Sequence, residues 1–328
     1  MKALLVDNSS EKPVMILGEY AQPEPGDKEL LVKIEATALN RADLMQKAGK
    51  YPPPEGASPI LGLEMAGVVE KTGPGVTSYS KGDQVSGLLS GGGYAEYCTI
   101  HEDLVIPVPE NLSFEEAAAI PEVFLTAFQA LLWLGELRNH ETVLIHAGAS
   151  GVGTAAVQLA KQLRKARVIT TVGSAEKCSL TAALGGDLCM NYKEENFAES
   201  LEETFGKNCV DVILDFVGSP YWEKNMQILA MDGRLVFLAM LGGATVEKMS
   251  LVPILRKRLS LKGSTLRNRS LQYKIELTRD FCHQTKGLFS NRTIKPVIDS
   301  IYDWNDVEKA HKKMENNLNA GKIVLTGM

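Results

Sequence analysis

The chain has 328 residues, which is long for a single core and fits two domains. Hydrophobic residues make up 45% of the sequence and charged residues 23%, a globular composition that excludes collagen-like and disordered classes. The longest apolar stretches are too short for a membrane helix. The net charge of -5 argues against a dedicated nucleic-acid binder.

The cysteines point to a reducing environment. They are five in number, widely spaced and without a Cys-x-x-Cys pair, which excludes a disulfide framework or a zinc ribbon. We therefore expect free thiols. The first apolar run ends at Asp7, too early for the core of a signal peptide, and we expect a cytoplasmic protein.

The first third of the sequence predicts β structure. Short runs rich in Val, Ile and Leu alternate with Gly- and Pro-rich turns, a pattern typical of a compact β-barrel. We predict strands at residues 2–7, 29–38 and 64–71, a short helix at 40–48, and further β pattern at 81–85 and 91–97.

After Pro109 the pattern changes to helices and then to alternating strands and helices. Ser113 and Glu116 form a capping box that opens a helix to about residue 120, and a second helix spans 122–134. The alternation from residue 141 predicts a doubly wound parallel α/β sheet with helices on both faces. Its predicted strands are 142–146, 167–172, 188–191, 210–216, 234–239 and 260–264, and its predicted helices are 154–163, 175–184, 197–205 and 221–230. A long helix and strands at 295–302 and 322–325 follow, and this tail is expected to return to the first domain.

The strongest local motif joins the first strand of this sheet to its first helix. Residues 146–156 contain Gly148, Gly151 and Gly153, with Ser150 in the place of the middle glycine of a G-x-G-x-x-G pattern. In this strand–turn–helix context the motif predicts that turn amides at the helix N-terminus bind a pyrophosphate. The alternative is a plain connecting turn.

The end of the second strand indicates which dinucleotide is bound. In NAD-binding sheets an acidic residue about 20 residues after the turn holds the ribose 2′-hydroxyl. Here Gly173 and Ser174 occupy that end, and Lys177 follows. A hydroxyl and a cation without an acid favour a 2′-phosphate and thus NADPH, with Tyr192 as a further donor. The alternative for Lys177 is an ordinary solvated lysine.

Several motifs spread over essentially the whole chain carry a family resemblance. They are the segments 38–46, 60–64, 91–93, 117–122, 221–225 and 321–325, together with the glycine turn. They resemble the zinc-free, zeta-crystallin-like NADPH:quinone oxidoreductases of the medium-chain dehydrogenase/reductase family. The resemblance implies a Rossmann sheet, residues 123–266, inserted into a GroES-like β-barrel catalytic domain formed by residues 1–122 and 267–328.

The resemblance also concerns a metal. Zinc-dependent relatives hold a catalytic zinc with a Cys, a His and a second Cys. The corresponding positions here hold Asn40, Leu63 and Glu122, and Cys98 is the only thiol where a four-cysteine lobe would lie. We therefore expect no metal. Glu122 is kept as a candidate proton donor, with a hydrogen-bonded wall residue as the alternative.

Loss of the zinc changes the expected chemistry. A quinone or an enone delocalises the incoming charge, so cofactor positioning can replace a Lewis acid. The resemblance implies NADPH-dependent quinone reduction, by hydride or electron transfer in a cleft between the domains. The alternatives are an enone or alkenal reductase, and a cofactor-sensing RNA-binding protein with little turnover. The last depends on basic residues between 256 and 274. The single aromatic residue among them, Tyr273, gives little support to base stacking, and a solvated face is favoured.

The resemblance implies individual site residues. The catalytic candidates are Asn40 beside the nicotinamide, Tyr51 at the substrate mouth and Ser150 on the turn. The alternatives are a helix N-cap for Asn40 and packing on prolines for Tyr51. Thr126 would contact the carboxamide unless it only bonds its own helix, and Lys322 would close over the adenine ribose phosphate unless it is solvated. The full set of cofactor-binding candidates is Asn40, Thr126, Gly148, Ser150, Gly151, Val152, Gly153, Gly173, Ser174, Lys177, Tyr192, Ser219, Leu238, Ala239, Met240, Ser264, Thr265, Leu266 and Lys322.

The expected partners are a small-molecule quinone or enone and a second copy of the chain. Members of the resembled family commonly dimerise by pairing edge strands of their nucleotide sheets, and the apolar run 235–241 suits that role. No membrane is expected as a partner, and nucleic acid is disfavoured.

Overall fold

The computed structural model describes residues 1–9 and 12–328, which divide into two compact units. The first unit contains Met1–Leu125 and Leu266–Met328, and the second contains Thr126–Thr265. These boundaries lie within three residues of the positions suggested by the sequence.

The secondary structure follows the alternation read from the sequence. Within the described residues the strands are β1 (Lys2–Asp7), β2 (Val14–Glu19), β3 (Glu29–Ala38), β4 (Glu64–Thr72), β5 (Gln84–Leu88), β6 (Tyr97–His101), β7 (Val105–Pro107), β8 (Thr142–His146), β9 (Arg167–Val172), β10 (Leu188–Asn191), β11 (Val210–Asp215), β12 (Leu229–Phe237), β13 (Ser260–Gly263), β14 (Ile298–Asp303) and β15 (Lys322–Thr326).

The α-helices of the described residues are α1 (Arg41–Lys47), α2 (Phe114–Ala118), α3 (Pro121–Phe128), α4 (Gly151–Arg164), α5 (Ala175–Ala183), α6 (Phe197–Phe205), α7 (Trp222–Ile228), α8 (Val252–Lys257), α9 (Leu271–Gln284) and α10 (Val307–Glu315). A π-helical turn, Gln129–Leu134, continues α3. The capping box predicted at α2 is present, since the Ser113 hydroxyl accepts from the Glu116 amide and the Glu116 carboxylate accepts from the Ser113 amide. None of these helices has the length and apolar character needed to cross a bilayer.

The second unit is built on a six-stranded sheet in which every strand pairing is parallel. The strand order is β10-β9-β8-β11-β12-β13. The order reverses between β8 and β11, so a crevice opens at the carboxyl ends of these two strands. The strands are buried on both faces, with Leu144, Ile169 and Ile213 fully covered. The predicted doubly wound parallel sheet is confirmed.

The first unit contains a seven-stranded sheet centred on β3. This ten-residue strand pairs antiparallel with β4 along one edge and with both β6 and β15 along the other. Because β15 lies near the end of the chain, its pairing with β3 returns the tail to the first unit. Only the β14–β15 pairing in this sheet is parallel.

Several elements differ from the prediction. Strand β12 begins at Leu229, where the sequence suggested the end of a helix, and its register with β11 shifts between residues 229 and 234. Helices α8 and α10 and strand β2 were not predicted. In α10 the buried residues Val307, Ala310, His311 and Met314 have helical spacing, but a His and several lysines mask the apolar stripe.

The strand expected to form a dimer edge lies inside the sheet. Strand β12 pairs with β11 on one side and with β13 on the other, and its residues Leu235 and Val236 are fully buried. The run 235–241 therefore cannot present a free strand edge, and that part of the expectation is wrong. The edge strands of this sheet are β10 and β13.

Two cysteines are paired, which corrects the expectation of five free thiols. Cys178 in α5 and Cys189 in β10 form a disulfide, with 5.4 Å between their Cα atoms. Cys98, Cys209 and Cys282 are free thiols. The pairing joins the segment that carries Lys177 to the segment that leads into Tyr192.

Candidate functional site

The glycine turn connects the end of β8 to the start of α4. Ser150 is the N-cap of α4, and its hydroxyl accepts a hydrogen bond of 3.0 Å from the Gly153 amide. A Cβ atom on Gly153 would lie 2.4 Å from the Ala147 carbonyl oxygen, so the tight approach of helix and turn requires glycine there.

The turn leaves two donors for a ligand. Among the described residues, the main-chain amides of Gly151 and Val152 donate to no protein acceptor. They stand at the N-terminus of a 14-residue helix, whose dipole favours an anion at this end. The predicted turn residues thus form one group suited to a pyrophosphate: Gly148, Ser150, Gly151, Val152 and Gly153.

A buried polar network holds the strand ends beneath this turn. His146 Nε2 lies 2.8 Å from Asn225 Oδ1, and the Asn225 amide donates to Asp215 at 3.0 Å. His146 Nδ1 lies 2.9 Å from the Thr171 hydroxyl. Burial lowers the pKa of His146, so the ring is neutral, with its proton on Nε2 and Thr171 donating to Nδ1. The network fixes β8, β9 and β11 relative to each other, and sequence reasoning missed Asn225 and Asp215.

The residues predicted to bind a 2′-phosphate meet at the end of β9. Ser174 is the N-cap of α5, and its hydroxyl accepts from the Lys177 amide. A Cβ atom on Gly173 would lie 2.7 Å from the Tyr192 hydroxyl oxygen and 3.3 Å from Cε of Lys193. Tyr192 and Lys193 therefore occupy the space that an acidic side chain at position 173 would need. Lys193 was not predicted, although it directly follows Tyr192 in the sequence.

The remaining candidates of the second unit follow β11, β12 and β13. The Leu238 amide donates to the Asp215 carbonyl at 2.8 Å, and the Ser219 amide donates to the Gly243 carbonyl at 2.9 Å. The Ser264 hydroxyl donates to the Gln129 side chain at 2.7 Å, so its proton is used inside the unit. Ala239 and Met240 continue directly from Leu238. Thr126 lies in α3, Thr265 is the last residue of the second unit, and Leu266 is the buried first residue of the resumed first unit.

The first unit has a buried ionic cluster around Lys322. Its ammonium donates to the Leu39 carbonyl at 2.6 Å, to Asn40 Oδ1 at 2.7 Å and to Glu64 Oε1 at 2.7 Å. The side chains of Lys322 and Glu64 are 4% and 0% exposed. All three ammonium protons have acceptors within the unit, so this position gives no support to the predicted contact with a ribose phosphate.

The same cluster determines the orientation of the side-chain amide of Asn40. An ammonium only donates and a carboxylate only accepts, so Asn40 Oδ1 faces Lys322 and Nδ2 faces Glu64, at 2.8 Å. The second Nδ2 proton goes to the Ala38 carbonyl. Asn40 also stands at the N-cap position of α1. Asn40 can therefore accept one further hydrogen bond through Oδ1, but it has no proton left for a substrate oxygen.

The three positions that the resemblance relates to the zinc ligands carry a different donor set. Asn40 is already bonded, Leu63 is a buried apolar side chain, and the Glu122 amide donates to the Glu64 carboxylate at 2.9 Å. The Lys322 ammonium adds a positive charge beside them. Within residues 1–9 and 12–328, no group of three or more His, Cys, Asp or Glu side chains is arranged to hold a metal ion.

Tyr51 begins the Pro-rich segment after α1. The guanidinium carbon of Arg267 lies 5.4 Å from the centre of its ring. Burial raises the pKa of the Tyr51 phenol. The positive charge of Arg267 lowers this pKa, and the negative charge of Glu122 raises it further. Among the described residues the phenol hydroxyl has no hydrogen-bond partner.

A second buried network lies in the first unit and was not predicted. The Tyr94 hydroxyl is 3.4 Å from Asp43 Oδ2 and 3.3 Å from His311 Nε2. Burial raises the pKa of Asp43 to about 6 and lowers that of His311 to about 4. Asp43, Tyr94 and His311 lie too far apart in the sequence to form a recognisable motif.

The basic segment between residues 256 and 274 is largely engaged inside the protein. Lys257 donates to three main-chain carbonyls at the end of α7, Arg258 pairs with Asp232, and Lys262 pairs with Glu136. Three more cations, Arg267, Arg269 and Lys274, bond or stack within the first unit, whereas Arg256 is exposed. These contacts favour a structural role over an RNA-binding surface.

Two family models match the sequence. Residues 26–110 match the alcohol dehydrogenase GroES-like domain, and residues 151–280 match the zinc-binding dehydrogenase domain. The human synaptic vesicle membrane protein VAT-1 homolog is 32% identical over 320 residues, covering 93% of this chain and 80% of the relative. The quinone oxidoreductase of Sus scrofa is 29% identical over 335 residues, covering 99% of this chain and 97% of the relative.

The chain is also similar to solved structures of oxidoreductases. The Escherichia coli quinone oxidoreductase complexed with NADPH superimposes with a TM-score of 0.86 at 30% identity, covering 100% of both chains. The CurK enoyl reductase superimposes with a TM-score of 0.85 at 27% identity, covering 99% of this chain and 98% of the other. The two named activities differ in the acceptor that is reduced.

Proposed function

Because the chain belongs to the zinc-free quinone oxidoreductase branch of the medium-chain dehydrogenase/reductase family, we propose that it reduces quinones with NADPH and without a metal ion. The observation that carries the cofactor assignment is the pair of anion sites in the second unit. One is the free amide pair at the start of α4, and the other is the polar cluster at the end of β9.

These sites fit the pyrophosphate and the 2′-phosphate of NADPH. The amides of Gly151 and Val152 would hold the pyrophosphate. Ser174, Lys177, Tyr192 and Lys193 would surround the 2′-phosphate with donors and positive charge. An aspartate or glutamate at position 173 would displace Tyr192 and repel that phosphate, so the geometry favours NADPH over NADH.

The chemistry of the acceptor follows from the donors present. When bound, NADPH supplies a hydride. A quinone spreads the resulting negative charge over its ring and both oxygens, so a hydrogen-bond donor can take the place of a Lewis acid. We propose Tyr51 as that donor, because its hydroxyl has no protein partner and Asn40 offers only an acceptor. Ser150 is kept as a second candidate; its hydroxyl already accepts from Gly153, but its proton is available.

Steady-state oxidation of NADPH by an ortho-quinone tests the proposal. We expect turnover with NADPH, much weaker turnover with NADH, and a Tyr51→Phe variant that binds NADPH normally but reduces the quinone more slowly. A Gly153→Ala variant is the matched control, since it should lose cofactor binding instead. Absence of NADPH oxidation with a panel of ortho- and para-quinones would overturn the quinone assignment.

A second candidate function is reduction of the carbon–carbon double bond of an enone or alkenal. It is favoured by the similarity to the CurK enoyl reductase, which is nearly as close in structure as the quinone oxidoreductase. An enone also delocalises the charge onto one oxygen, so the same donor would serve. The ratio of kcat/KM for a quinone to that for an alkenal distinguishes the two.

We propose further that the chain forms a homodimer through the second unit. Strand β13 is one of the two edge strands of its sheet, and the exposed fractions of Leu241, Leu251 and Leu255 are 57%, 61% and 82%. An unpaired edge strand flanked by exposed leucines suits pairing with a second copy. Light scattering after size exclusion should give twice the chain mass, and Leu255→Glu should shift it to the monomer. A cytoplasmic location stays a prediction.

A further inference from the structure

The Tyr51 hydroxyl is one of the free donors of the first unit, and the ring that carries it lies against the guanidinium of Arg267. The Tyr51 side chain is half-buried. The main-chain carbonyl of Tyr51 accepts a long hydrogen bond, 3.5 Å, from Arg267 Nη1. A free hydroxyl on a half-buried ring is the arrangement expected of a group that meets a ligand.

Arg267 holds that ring while bonding two further segments. Its Nε and Nη2 atoms donate to the Ser90 carbonyl at 2.9 Å and 2.7 Å, and Nη2 also donates to the Gln46 side chain at 2.7 Å. Gln46 is itself bonded to the Pro59 carbonyl at 2.9 Å. Arg267 is only 5% exposed. One guanidinium thus ties the end of α1, the Tyr51 segment and the Ser90 loop together.

A second buried cation supports Arg267. Lys274, 7% exposed, donates to the Arg267 carbonyl at 2.7 Å and to the Ser90 hydroxyl at 2.9 Å. In the described part of the chain, neither cation forms an ion pair with a carboxylate. Buried positive charge without a counter-ion costs folding free energy, and it is useful where negative charge develops during a reaction.

We infer that Arg267 is a positioning residue for Tyr51: it fixes the ring, and its charge stabilises the phenolate left when the phenol proton passes to a substrate oxygen. The inference rests on the proposed function. In the step, a quinone that has accepted a hydride is a hydroquinone monoanion, and its oxygen takes the proton from Tyr51. The Tyr51 O–H bond breaks as the product O–H bond forms. Water then returns a proton to the phenolate, so that one quinone, one NADPH and one proton give one hydroquinone and one NADP⁺.

The charges around the phenol set the expected direction of change. Arg267 faces the ring and lowers the pKa of Tyr51, while burial and the carboxylate of Glu122 raise it. Lys274 lies behind Arg267 and is not among the groups that act on the phenol. Removal of Arg267 should therefore raise the pKa of Tyr51, whereas removal of Lys274 should leave it unchanged.

The test uses full-length Arg267→Gln, Arg267→Lys and the matched control Lys274→Gln. NMR titration of protein labelled at the tyrosine ζ-carbon reads the pKa of Tyr51 without any turnover, with Tyr51→Phe to assign its signal. We expect the pKa to rise in Arg267→Gln and to return toward wild type in Arg267→Lys. We expect kcat with a quinone to fall about tenfold in Arg267→Gln, with the affinity for NADPH unchanged.

The outcomes separate the inference from the proposed function. An unchanged pKa of Tyr51 in Arg267→Gln, or an equal rise in Lys274→Gln, would overturn the role of Arg267 even if quinones are substrates. A raised pKa in a protein that reduces no quinone would contradict the proposed function but support the effect of Arg267 on the phenol. If Arg267→Gln does not fold, the kcat of Arg267→Lys decides: this variant keeps the charge but lacks the guanidinium fork, so a wild-type kcat would contradict the positioning role.

Discussion

Replacement of Lys322 by Met should strongly destabilise the first unit. The ammonium is buried, and its loss removes three hydrogen bonds of 2.6 to 2.7 Å. It also leaves the fully buried carboxylate of Glu64 without its cation. Removal of one partner of a buried ion pair costs about 3–5 kcal/mol. Glu64 keeps its bonds from Asn40 Nδ2 and from the Glu122 amide, so we expect the lower end, about 3 kcal/mol.

Urea denaturation at pH 7 measures this loss of unfolding free energy. Two further variants serve as controls. Lys322→Met combined with Glu64→Gln leaves no unpaired buried charge and should lose less than Lys322→Met alone. Arg258→Met breaks the Arg258–Asp232 pair, whose side chains are 61% and 63% exposed, and should cost far less because solvent screens the exposed charges. An equal loss for Lys322→Met and Arg258→Met would refute the assignment of Lys322 to a buried structural pair.

Three further variants test separate sites. Lys177→Glu should weaken NADPH at least about tenfold and NADH much less, because only NADPH carries the 2′-phosphate; equal losses in a fluorescence titration would argue against that site. The double variant Cys178→Ser/Cys189→Ser should lower the free energy of unfolding by up to about 3 kcal/mol, and wild-type protein unaffected by dithiothreitol would speak against the disulfide. His311 binds its proton near pH 4 when folded and near 6.5 when unfolded, so its titration removes stability as the pH falls between these values. Asp43, whose pKa is raised, acts with the opposite sign, so His311→Phe is compared with wild type; an identical pH dependence would contradict the burial of His311.

The parts of the fold that the sequence predicted depend on short-range signals. The capping box of Ser113 and Glu116 and the glycine turn after β8 each fit within a few residues, and the structure contains them where expected. The parallel sheet was predictable because its strands are continuous apolar runs separated by helices. The start of β12 was missed because the helix before it and the strand share an apolar segment, for which periodicity gives no boundary.

The candidate site was predictable only where a motif is local. Gly173, Ser174 and Lys177 are close in sequence, and Tyr192 follows the next strand, so strand order alone places them together. The burial of Lys322 could not be predicted because its partner Glu64 is 258 residues away. A lysine near the end of a chain reads as solvated until the sheet pairing of β15 with β3 buries it.

The absence of a metal requirement is the central claim, and it is tested by the rate of quinone-dependent NADPH oxidation before and after exhaustive chelation of the same preparation. Metal analysis of the chelated protein confirms the removal of zinc. The donor set of Asn40, Leu63 and Glu122 predicts an unchanged kcat/KM. Loss of activity on chelation, restored by added zinc, would contradict the account.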